Sequence, residues 1–267
     1  MAGKLARKMG LRFLKAFARD VSIRHHWVQA RRVTLNSFKH KGYWWHGRRR
    51  EEVTMRSVER LLSPGQCVVE LGAHIGYLTI YFSDLVGSTG RVITFEPSEQ
   101  NLRYLRINMD GISNVTVEPV AVSDFIGEAD FFVEDLTGQN NSLVESYHVL
   151  EINEKNAGQH ANVVRENVPV TTLDAYCEAR DVAPHFIKID VEGAEEAALR
   201  GAIATLQKHQ PIVLVEITRG YRAIYDLMEG LGYECLDDSL NPIEFIIEGT
   251  PNYFWIPAGR LRDGYFS

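Results

Sequence analysis

The sequence lacks the marks of several protein classes. No run of about 18 apolar residues occurs in its 267 residues, which excludes a membrane-spanning helix. Its three cysteines, Cys67, Cys177 and Cys235, are odd in number and widely spaced. This spacing disfavours a disulfide framework or a zinc cluster and favours a reducing compartment. Ile, Val, Leu and Phe are too frequent for a disordered chain. We therefore expect a globular, cytoplasmic protein with one domain of about 200 residues and an added segment.

Acidic residues are almost absent from the first 50 positions. Residues 1–50 hold 14 Lys and Arg but a single acid, Asp20, which gives a net charge of +13. The remaining 217 residues hold 15 Lys and Arg and 34 acids, which gives a net charge of −19. Such a split indicates two parts with different tasks. We therefore predict an extension, residues 1–50, ahead of a main domain, residues 51–267.

The start of the extension has the pattern of a basic amphipathic helix. Apolar residues recur every four positions, and Lys and Arg fill the other faces. Three roles stay open: a cover over its own or a partner domain, a membrane-surface helix over residues 1–21, and a targeting segment. A cover over a partner domain would make the protein a homodimer. The apolar stripe consists of Leu5, Met9, Phe13, Phe17 and Val21.

The rest of the extension, residues 24–50, combines basic and aromatic side chains. Aromatic rings interleaved with Arg occur in nucleic-acid interfaces, but the overall acidity of the chain disfavours that function. We favour a lid or wall over an active site. The aromatic and imidazole residues are His25, His26, Trp27, Phe38, Tyr43, Trp44, Trp45 and His46.

Strand and helix patterns alternate with short connections from about residue 51. This alternation predicts an α/β fold with a doubly wound, mostly parallel sheet. The interval 125–185 is too long for one crossover, so we expect an insertion at about 125–168 with one or two extra strands. The predicted strands are 67–69, 91–95, 115–122, 186–189, 212–217, 233–236, 243–247 and 253–256.

Carboxylates close most of the predicted strands. Glu70, Glu96, Asp124 and Asp190 end four of the first five, and Glu216 lies near the end of the fifth. Ligands of doubly wound sheets bind at the carboxyl ends of the strands, near the point where the strand order reverses. We therefore expect these acids to share one edge of the sheet. Helix capping or plain solvation is the alternative for any one of them.

The segment from Glu70 to Gly76 directly follows a buried strand. Gly72 permits a tight turn and the close approach of a ligand, and Gly76 opens the next helix. The segment lacks the third glycine of a dinucleotide-binding loop and the lysine of a nucleotide P-loop. An acid at the strand end favours instead a ligand that has an ammonium group and no pyrophosphate.

The next two strand ends add to this description of the ligand. Glu96 could accept hydrogen bonds from two neighbouring ribose hydroxyls. Asp124, together with Ser123, could accept one from an adenine amino group. With Glu70, these residues predict a site for an amino acid joined to adenosine.

Sequence blocks at these positions resemble the FkbM family of class I S-adenosylmethionine-dependent methyltransferases, over roughly residues 65–220. The resemblance implies a Rossmann-like sheet of seven strands with helices on both faces, and S-adenosylmethionine as the cofactor. His74 departs from the pattern, since the family commonly has Asn there. The blocks are 70–79 (ELGAHIGYLT), 95–97 (FEP), 121–124 (AVSD), 170–174 (VTTLD) and 187–195 (IKIDVEGAE).

The resemblance also implies methyl transfer to a hydroxyl of a sugar or small natural product. A hydroxyl becomes a good nucleophile when a base takes its proton. Asp190 is the first candidate for that base, Glu192 the second, and His148 or His46 follow. We predict no metal, because no compact ligand motif occurs. A nicotinamide-dependent dehydrogenase and a non-catalytic binding protein of the same fold are the alternatives. The residues expected to contact the cofactor are Glu70, Gly72, His74, Gly76, Glu96, Ser123, Asp124 and Asp190.

Overall fold

The computed structural model describes residues 15–134, 141–144, 162–246 and 252–262. Residues 1–14 of the predicted amino-terminal helix, and His148 of the insertion, lie outside these ranges. None of the helices in the described ranges combines the length and the apolar character needed to cross a membrane.

The described chain alternates strands and helices, as the sequence predicts. The strands are β1 (Asp20–Arg24), β2 (Arg32–Asn36), β3 (Cys67–Leu71), β4 (Arg91–Phe95), β5 (Val115–Glu118), β6 (Ala121–Val122), β7 (Gly127–Glu134), β8 (Val163–Thr171), β9 (Phe186–Ile189), β10 (Ile212–Glu216), β11 (Tyr233–Leu236) and β12 (Asn252–Pro257). The helices are α1 (Lys41–His46), α2 (Glu52–Leu61), α3 (Tyr77–Val86), α4 (Glu99–Asn108), α5 (Leu173–Arg180), α6 (Glu195–Arg200), α7 (Ile203–His209), α8 (Tyr221–Gly230) and α9 (Ala258–Arg262).

A central sheet of seven strands confirms the predicted fold class. Its order is β11-β12-β10-β9-β3-β4-β5. Strand β12 runs antiparallel to both of its neighbours, and the other neighbouring pairs are parallel. From β3 the chain proceeds to β4 and β5 on one side, and later returns to β9 on the other. The strand order therefore reverses between β3 and β9, which is where doubly wound sheets bind ligands.

Helices cover both faces of this sheet. Every residue of β3 is buried, and successive side chains of a strand face opposite sides. Val68 accordingly packs in one core cluster with residues of α2, α3 and α4, whereas Val69 and Leu71 pack in another with residues of α5 to α8. This two-sided burial explains why the strand is an uninterrupted apolar run up to Glu70.

Two predicted strands differ from the structure. The predicted strand 115–122 is divided between β5 in the central sheet and β6 in a second sheet. Pro119 lies at the division, and proline has no N–H with which to continue a ladder. Residues 243–246 do not form a strand; near them Leu236 makes a single antiparallel bridge to Pro242.

The insertion contributes two extra strands, as predicted. β7 and β8 pair antiparallel over eight residues each, and β6 pairs in parallel with β8. The apolar side of this three-stranded sheet is a small cluster of its own, which includes Phe131, Val133 and Val168.

The extension contains a hairpin where the end of a helix is predicted. Residues 15 and 16 are helical, but Val21 lies in β1, which pairs antiparallel with β2. β-Branched Val21 and Ile23 alternate with exposed residues, so the period of two of a strand prevails over the four-residue spacing. Val33 and Leu35 of β2 are fully buried in the core cluster that contains α2, α3 and α4.

Candidate functional site

A cleft of about 260 Å³ opens at the carboxyl edge of the central sheet, where β3 and β9 meet. It brings together seven of the acids and loop residues that the sequence singles out. Gly76, Ser123 and Asp124 do not line it, and His148 lies outside the described residues. The seven are Glu70, Gly72, His74, Glu96, Asp190, Glu192 and Glu216.

The strand register aligns four of these residues in one row across the sheet edge. Leu71 pairs with both Phe95 and Ile189, and Ile189 pairs with Val215. The residues that follow, in strand order, are therefore Glu96, Gly72, Asp190 and Glu216. Neighbours in such a row point to the same side of the sheet. Three of the predicted acids, Glu96, Asp190 and Glu216, thus share this edge with a glycine among them, Glu70 lies two residues before Gly72, and Asp124 does not lie in the row.

Gly72 lets the ends of β3 and β9 come close together. Its φ of +86° is in the left-handed region, and a Cβ there would lie 1.8 Å from the backbone oxygen of Asp190. The sequence predicts that this missing side chain makes room for a ligand. The structure corrects this reason, because the space is taken by the backbone at the end of β9.

Glu70 is buried at 1% exposure beneath the loop. Its Oε2 accepts hydrogen bonds from Thr79 Oγ1 at 2.5 Å and from Thr94 Oγ1 at 3.0 Å. Its Oε1, although buried, has no hydrogen-bond partner among the described residues. Burial raises the pKa of Glu70, and the ammonium of Lys188 opposes that rise. A buried acceptor atom of this kind is available to a ligand donor.

Glu96 is held by three donors from its own protein. Oε2 accepts from the backbone N–H of His74 at 2.8 Å, and Oε1 accepts from the N–H of Ser98 at 3.0 Å and from Nδ2 of Asn101 at 3.3 Å. A carboxylate offers about four acceptor positions, so capacity remains for a ligand. Burial raises the pKa of Glu96 to about 7. The side chain of Glu96 is therefore fixed in orientation, and its carboxyl group ionises near neutral pH.

His74 connects the loop to the amino-terminal extension. Its φ is +52°, a region in which His, Asn and Asp are the side chains best tolerated. That shared tolerance explains how His can stand where the sequence pattern of the resembled family has Asn. Nδ1 of His74 shares a hydrogen bond of 3.1 Å with Tyr43 Oη. The Tyr43 ring also packs against Tyr77 and under the guanidinium of Arg50, at 4.8 and 4.5 Å.

Gly76 has a structural role behind the cleft. It precedes α3 with a φ of +81°, and a Cβ there would meet Leu105 and Met109 of α4 at 2.5 and 2.8 Å. The glycine thus allows α4 to pack against the start of α3. It does not line the cleft, so a direct cofactor contact for Gly76 has no support from its position.

Asp190 forms an ion pair at the floor of the cleft. Its Oδ2 accepts from Lys188 Nζ at 2.8 Å. Burial lowers the pKa of Lys188, but the negative charges of Asp190 and Glu70 raise it, and the net shift is upward. Lys188 also donates to the backbone oxygen of Gly72 at 3.4 Å. A lysine inside an otherwise apolar strand is a signal that the sequence analysis did not use.

Two further carboxylates, Glu192 and Glu216, line the cleft beside Asp190. Neither side chain has a hydrogen bond or ion pair among the described residues. Burial and the charge of Asp190 raise the pKa of Glu192. The charge of Asp190, followed by burial, raises the pKa of Glu216 to about 8. These are the pKa changes expected when like charges crowd together away from water.

Asp124 does not occupy the predicted place. Asp124 is exposed and follows β6 of the second sheet. The acid that ends β5, the third strand of the central sheet along the chain, is instead Glu118, whose Oε1 accepts a hydrogen bond from Tyr176 Oη at 2.8 Å. Ser123 is buried, and its backbone oxygen lies against Gly201. The cleft wall on this side consists instead of residues 120–122 and Phe95. The division of the predicted strand at Pro119 accounts for the difference.

The insertion supplies a cleft residue that the sequence analysis missed. Asn141 is 8% exposed, and its Oδ1 accepts from the backbone N–H of Glu134 at 2.9 Å. That bond fixes the amide orientation, and its Nδ2 has no partner among the described residues. Ser142, next to it, donates to the backbone oxygen of Glu192 at 2.6 Å. No local sequence signal marks Asn141, since its position depends on the pairing of β7.

No group of three or more potential metal ligands occurs among the described residues. The three cysteines are buried and unpaired as disulfides, and burial raises their pKa values. Neither finding adds a metal ligand or a reactive thiol to the cleft.

Comparison with known proteins identifies the family. Residues 70–235 match the family model described as the methyltransferase FkbM domain. No curated protein matches the sequence. Three solved structures are similar over about three quarters of the chain: the methyltransferase FkbM from Methylobacillus flagellatus KT, a putative rRNA methylase from Clostridium thermocellum, and a SAM-dependent methyltransferase from Aquifex aeolicus.

The similarity to these structures is distant. Sequence identity is 18%, 14% and 14%, and the TM-scores are 0.47, 0.45 and 0.39. The matches cover 75%, 76% and 78% of this chain, and 50%, 90% and 91% of the respective relatives. The chain thus spans half the length of the Methylobacillus protein. On the family match, the chain belongs to the FkbM family of class I S-adenosylmethionine-dependent methyltransferases.

Proposed function

We propose that the protein transfers a methyl group from S-adenosylmethionine to a hydroxyl of a sugar or another small natural product. The observation that carries this proposal is the row Glu96, Gly72, Asp190 and Glu216 at the point where the strand order reverses. The row offers acceptors for a cationic amino acid joined to a ribose at one end and carboxylates for an alcohol at the other.

The residues of the cleft fit the cofactor. Glu70 Oε1 is a buried acceptor without a partner, and it suits the cofactor's ammonium group. Glu96 has remaining acceptor capacity for the two ribose hydroxyls. The apolar wall of residues 120–122 suits a flat adenine ring better than Asp124 does. When bound, S-adenosylmethionine supplies a methyl group on a positively charged sulfur.

Asp190 has the best position to take the proton of the acceptor hydroxyl. Lys188 holds Oδ2, and Oδ1 accepts no hydrogen bond from the described residues. A base held in one orientation is ready to accept a proton without rearrangement. Glu192 lies in the same cleft and stays the second candidate.

The two alternative functions have less support. A dehydrogenase would need a pyrophosphate site, yet the loop has only Gly72 and Gly76, and Gly76 packs against α4. A non-catalytic binding protein would be favoured by an extension that seals the site. Tyr43 and Arg50 of the extension form one wall of the cleft and leave about 260 Å³ open.

Calorimetry with S-adenosylhomocysteine tests the proposal most directly. We expect saturable binding by the full chain. Absence of binding at millimolar ligand would overturn the methyltransferase function. A panel of hydroxylated sugars, lipids and small metabolites with labelled cofactor then identifies the acceptor.

The variant Glu96→Ala tests the cofactor orientation. We expect S-adenosylhomocysteine to bind about 1–3 kcal/mol more weakly, because charge-assisted hydrogen bonds to the ribose are lost. Glu118→Ala, which removes the acid at the end of the neighbouring strand, is the control and should bind like the parent. Equal affinity of Glu96→Ala and the parent would remove Glu96 from the ribose site.

A further inference from the structure

The far end of the carboxylate row is unused by the proposed cofactor contacts. Glu96, which follows β4, and Glu70, on β3, take the ribose and ammonium ends of the cofactor. Glu216 lies on β10, two strands beyond Glu70, on the opposite side of Asp190. Glu192, in the loop after β9, lines the same part of the cleft. The acceptor therefore enters between Asp190 and these two acids.

The two cations of the cleft do not neutralise Glu192 and Glu216. Lys188 is paired with Asp190 at 2.8 Å. Arg50 donates from Nε to Glu51 Oε1 at 3.0 Å and stacks on Tyr43. With both cations engaged by other acids, Glu192 and Glu216 have no ion pair among the described residues.

A second observation points to a ligand at this end. Asn141 directs an amide group with an unpartnered Nδ2 into the cleft while its Oδ1 is held by the backbone N–H of Glu134. An isolated acidic cluster could be explained by solvation alone. Asn141, a buried donor without a partner among the described residues, lines one cleft with two acids that have no partners there. Together they suit a ligand that has both an oxygen acceptor and a cation.

We propose that Glu192, Glu216 and Asn141 form the acceptor site, and that its substrate is a hydroxylated molecule with a protonated amine, such as an amino sugar. This inference rests on the proposed methyl transfer. The ammonium group binds between the carboxylates of Glu192 and Glu216, and Nδ2 of Asn141 donates to a hydroxyl or ether oxygen. The neighbouring hydroxyl then faces Asp190.

The charges around Glu216 explain why an ammonium group is preferred to a neutral one. The raised pKa values of Glu192 and Glu216 mean that both acids resist ionisation next to Asp190. A bound ammonium removes that repulsion and lets both acids release their protons. The titratable and charged groups that face Glu216 are Lys188 from β9, Asp190 and Glu192 from the loop after it, and Arg50 and Glu51 from the segment before α2.

A pair of matched sugars tests the amine preference. The full chain is saturated with S-adenosylhomocysteine, and its affinities for glucosamine and N-acetylglucosamine are measured by calorimetry or by ligand-observed NMR. We expect glucosamine to bind at least about tenfold more tightly, with a preference that falls as salt is added. Proton release on binding of glucosamine, seen as a dependence of the heat on buffer, should be absent for N-acetylglucosamine.

Four variants assign the preference to the proposed residues. Glu192→Gln and Glu216→Gln should each reduce the glucosamine preference, and the double variant should abolish it. Asn141→Ala should weaken both sugars about equally, by roughly tenfold. Glu229→Gln, an exposed acid on α8 away from the cleft, is the control and should keep the parent preference. Melting temperatures verify that each variant is folded.

The outcomes separate this inference from the proposed function. Equal affinities for the two sugars, no detectable glucosamine binding, or a preference that survives the double variant would overturn the amine site while binding of S-adenosylhomocysteine still supports the methyltransferase. Failure to bind S-adenosylhomocysteine would count against the proposed function itself. A methylated product that carries its new methyl group on nitrogen would contradict both the proposed placement of the ammonium group and transfer to oxygen.

Discussion

Gly72 holds the two strand ends of the site together because it has no side chain. We predict that Gly72→Ala destabilises the fold by about 2–5 kcal/mol, from backbone strain at positive φ and a clash with the Asp190 backbone. Gly111→Ala is a matched control, since Gly111 also has a positive φ, +70°, but has nothing within 4 Å of its Cβ position. It should cost only about 1–2 kcal/mol. Equal losses in chemical denaturation would contradict the close-approach role.

Asp190 can be separated from Glu192 by kinetics. We predict that Asp190→Asn keeps the parent affinity for S-adenosylhomocysteine and lowers kcat by roughly 10²- to 10⁴-fold, because the general base is lost. Glu192→Gln should act mainly on KM, since we assign it to the acceptor. Single-turnover assays with labelled cofactor measure both. Parent-like turnover by Asp190→Asn, together with a collapse of kcat in Glu192→Gln, would reverse the two roles.

The residues of the cleft differ in how well the sequence could predict them. Glu70, Glu96 and Asp190 follow apolar runs, so their place at the sheet edge could be predicted from local pattern. The predicted place of Asp124 at the edge of the central sheet was wrong, because the strand is interrupted at Pro119 and the residues after it belong to another sheet. Asn141 could not be predicted, because it reaches the cleft only through the pairing of its neighbour Ser142 with Phe132 of β7. Nothing in the local sequence indicates that contact.

At the scale of elements, the central sheet was predictable because its strands are buried on both faces. Continuous apolar runs between turn residues identify such strands without any alignment. The amino-terminal hairpin was not predictable in the same way. Phe17 and Val21 are four residues apart, a spacing that suits one helix face, and residues two apart in β1 suit a strand equally well. The contacts of Val33 and Leu35 with the main core favour the strand.

The extension reaches the cofactor loop through one hydrogen bond that can be removed. We predict that Tyr43→Phe weakens binding of S-adenosylhomocysteine by about 0.5–1.5 kcal/mol, because the hydrogen bond to His74 Nδ1 is lost and the loop that holds Glu96 loosens. Tyr176→Phe deletes the same atom outside the cleft, where Tyr176 donates to Glu118. It should lower stability by a similar amount and leave the cofactor affinity unchanged. An unaltered affinity in Tyr43→Phe would mean that the extension does not support the loop.

At the scale of the whole molecule, the charge split does not attach the extension to the main domain. Arg24, Arg32, Arg48 and Arg49 are exposed, Leu35 packs in the main core, and Asp20, the single acid of the extension, pairs with Arg103 of α4 at 2.9 Å. His25 and His26 bond to Tyr77 through its backbone oxygen and its hydroxyl, at 3.0 and 2.9 Å. The exposed basic residues of the extension therefore do not serve to bind it to the main domain. Part of the negative charge of the main domain lies at the cleft.

Two sets of buried groups make the stability of the ligand-free protein depend on pH in opposite directions. Burial lowers the pKa of His25 to about 4 and of His40 to about 3, so the unfolded chain binds more protons and stability rises with pH up to about 6.5. Burial raises the pKa of Glu96 and of Glu195 to about 7, and the Asp190 charge with burial raises that of Glu216 to about 8. For these acids the folded chain binds more protons, so stability falls as pH rises from about 4.5 through these values.

Above pH 6.5 the histidines no longer contribute, and the acids alone determine the slope. We therefore predict that the melting temperature of the ligand-free protein falls between pH 6.5 and 8.5, by about 2–4 °C for each kcal/mol lost in a domain of this size. Glu216→Gln should flatten the upper part of this fall, because the amide has no proton to lose, and Glu229→Gln should follow the parent profile. Calorimetric melts across this range measure the effect. A melting temperature that is constant or rises from pH 6.5 to 8.5 would show that the carboxylates of the cleft are already ionised in the folded protein. In that case a bound amine would have no raised pKa values to relieve, and our explanation for the preference for an ammonium group would be wrong.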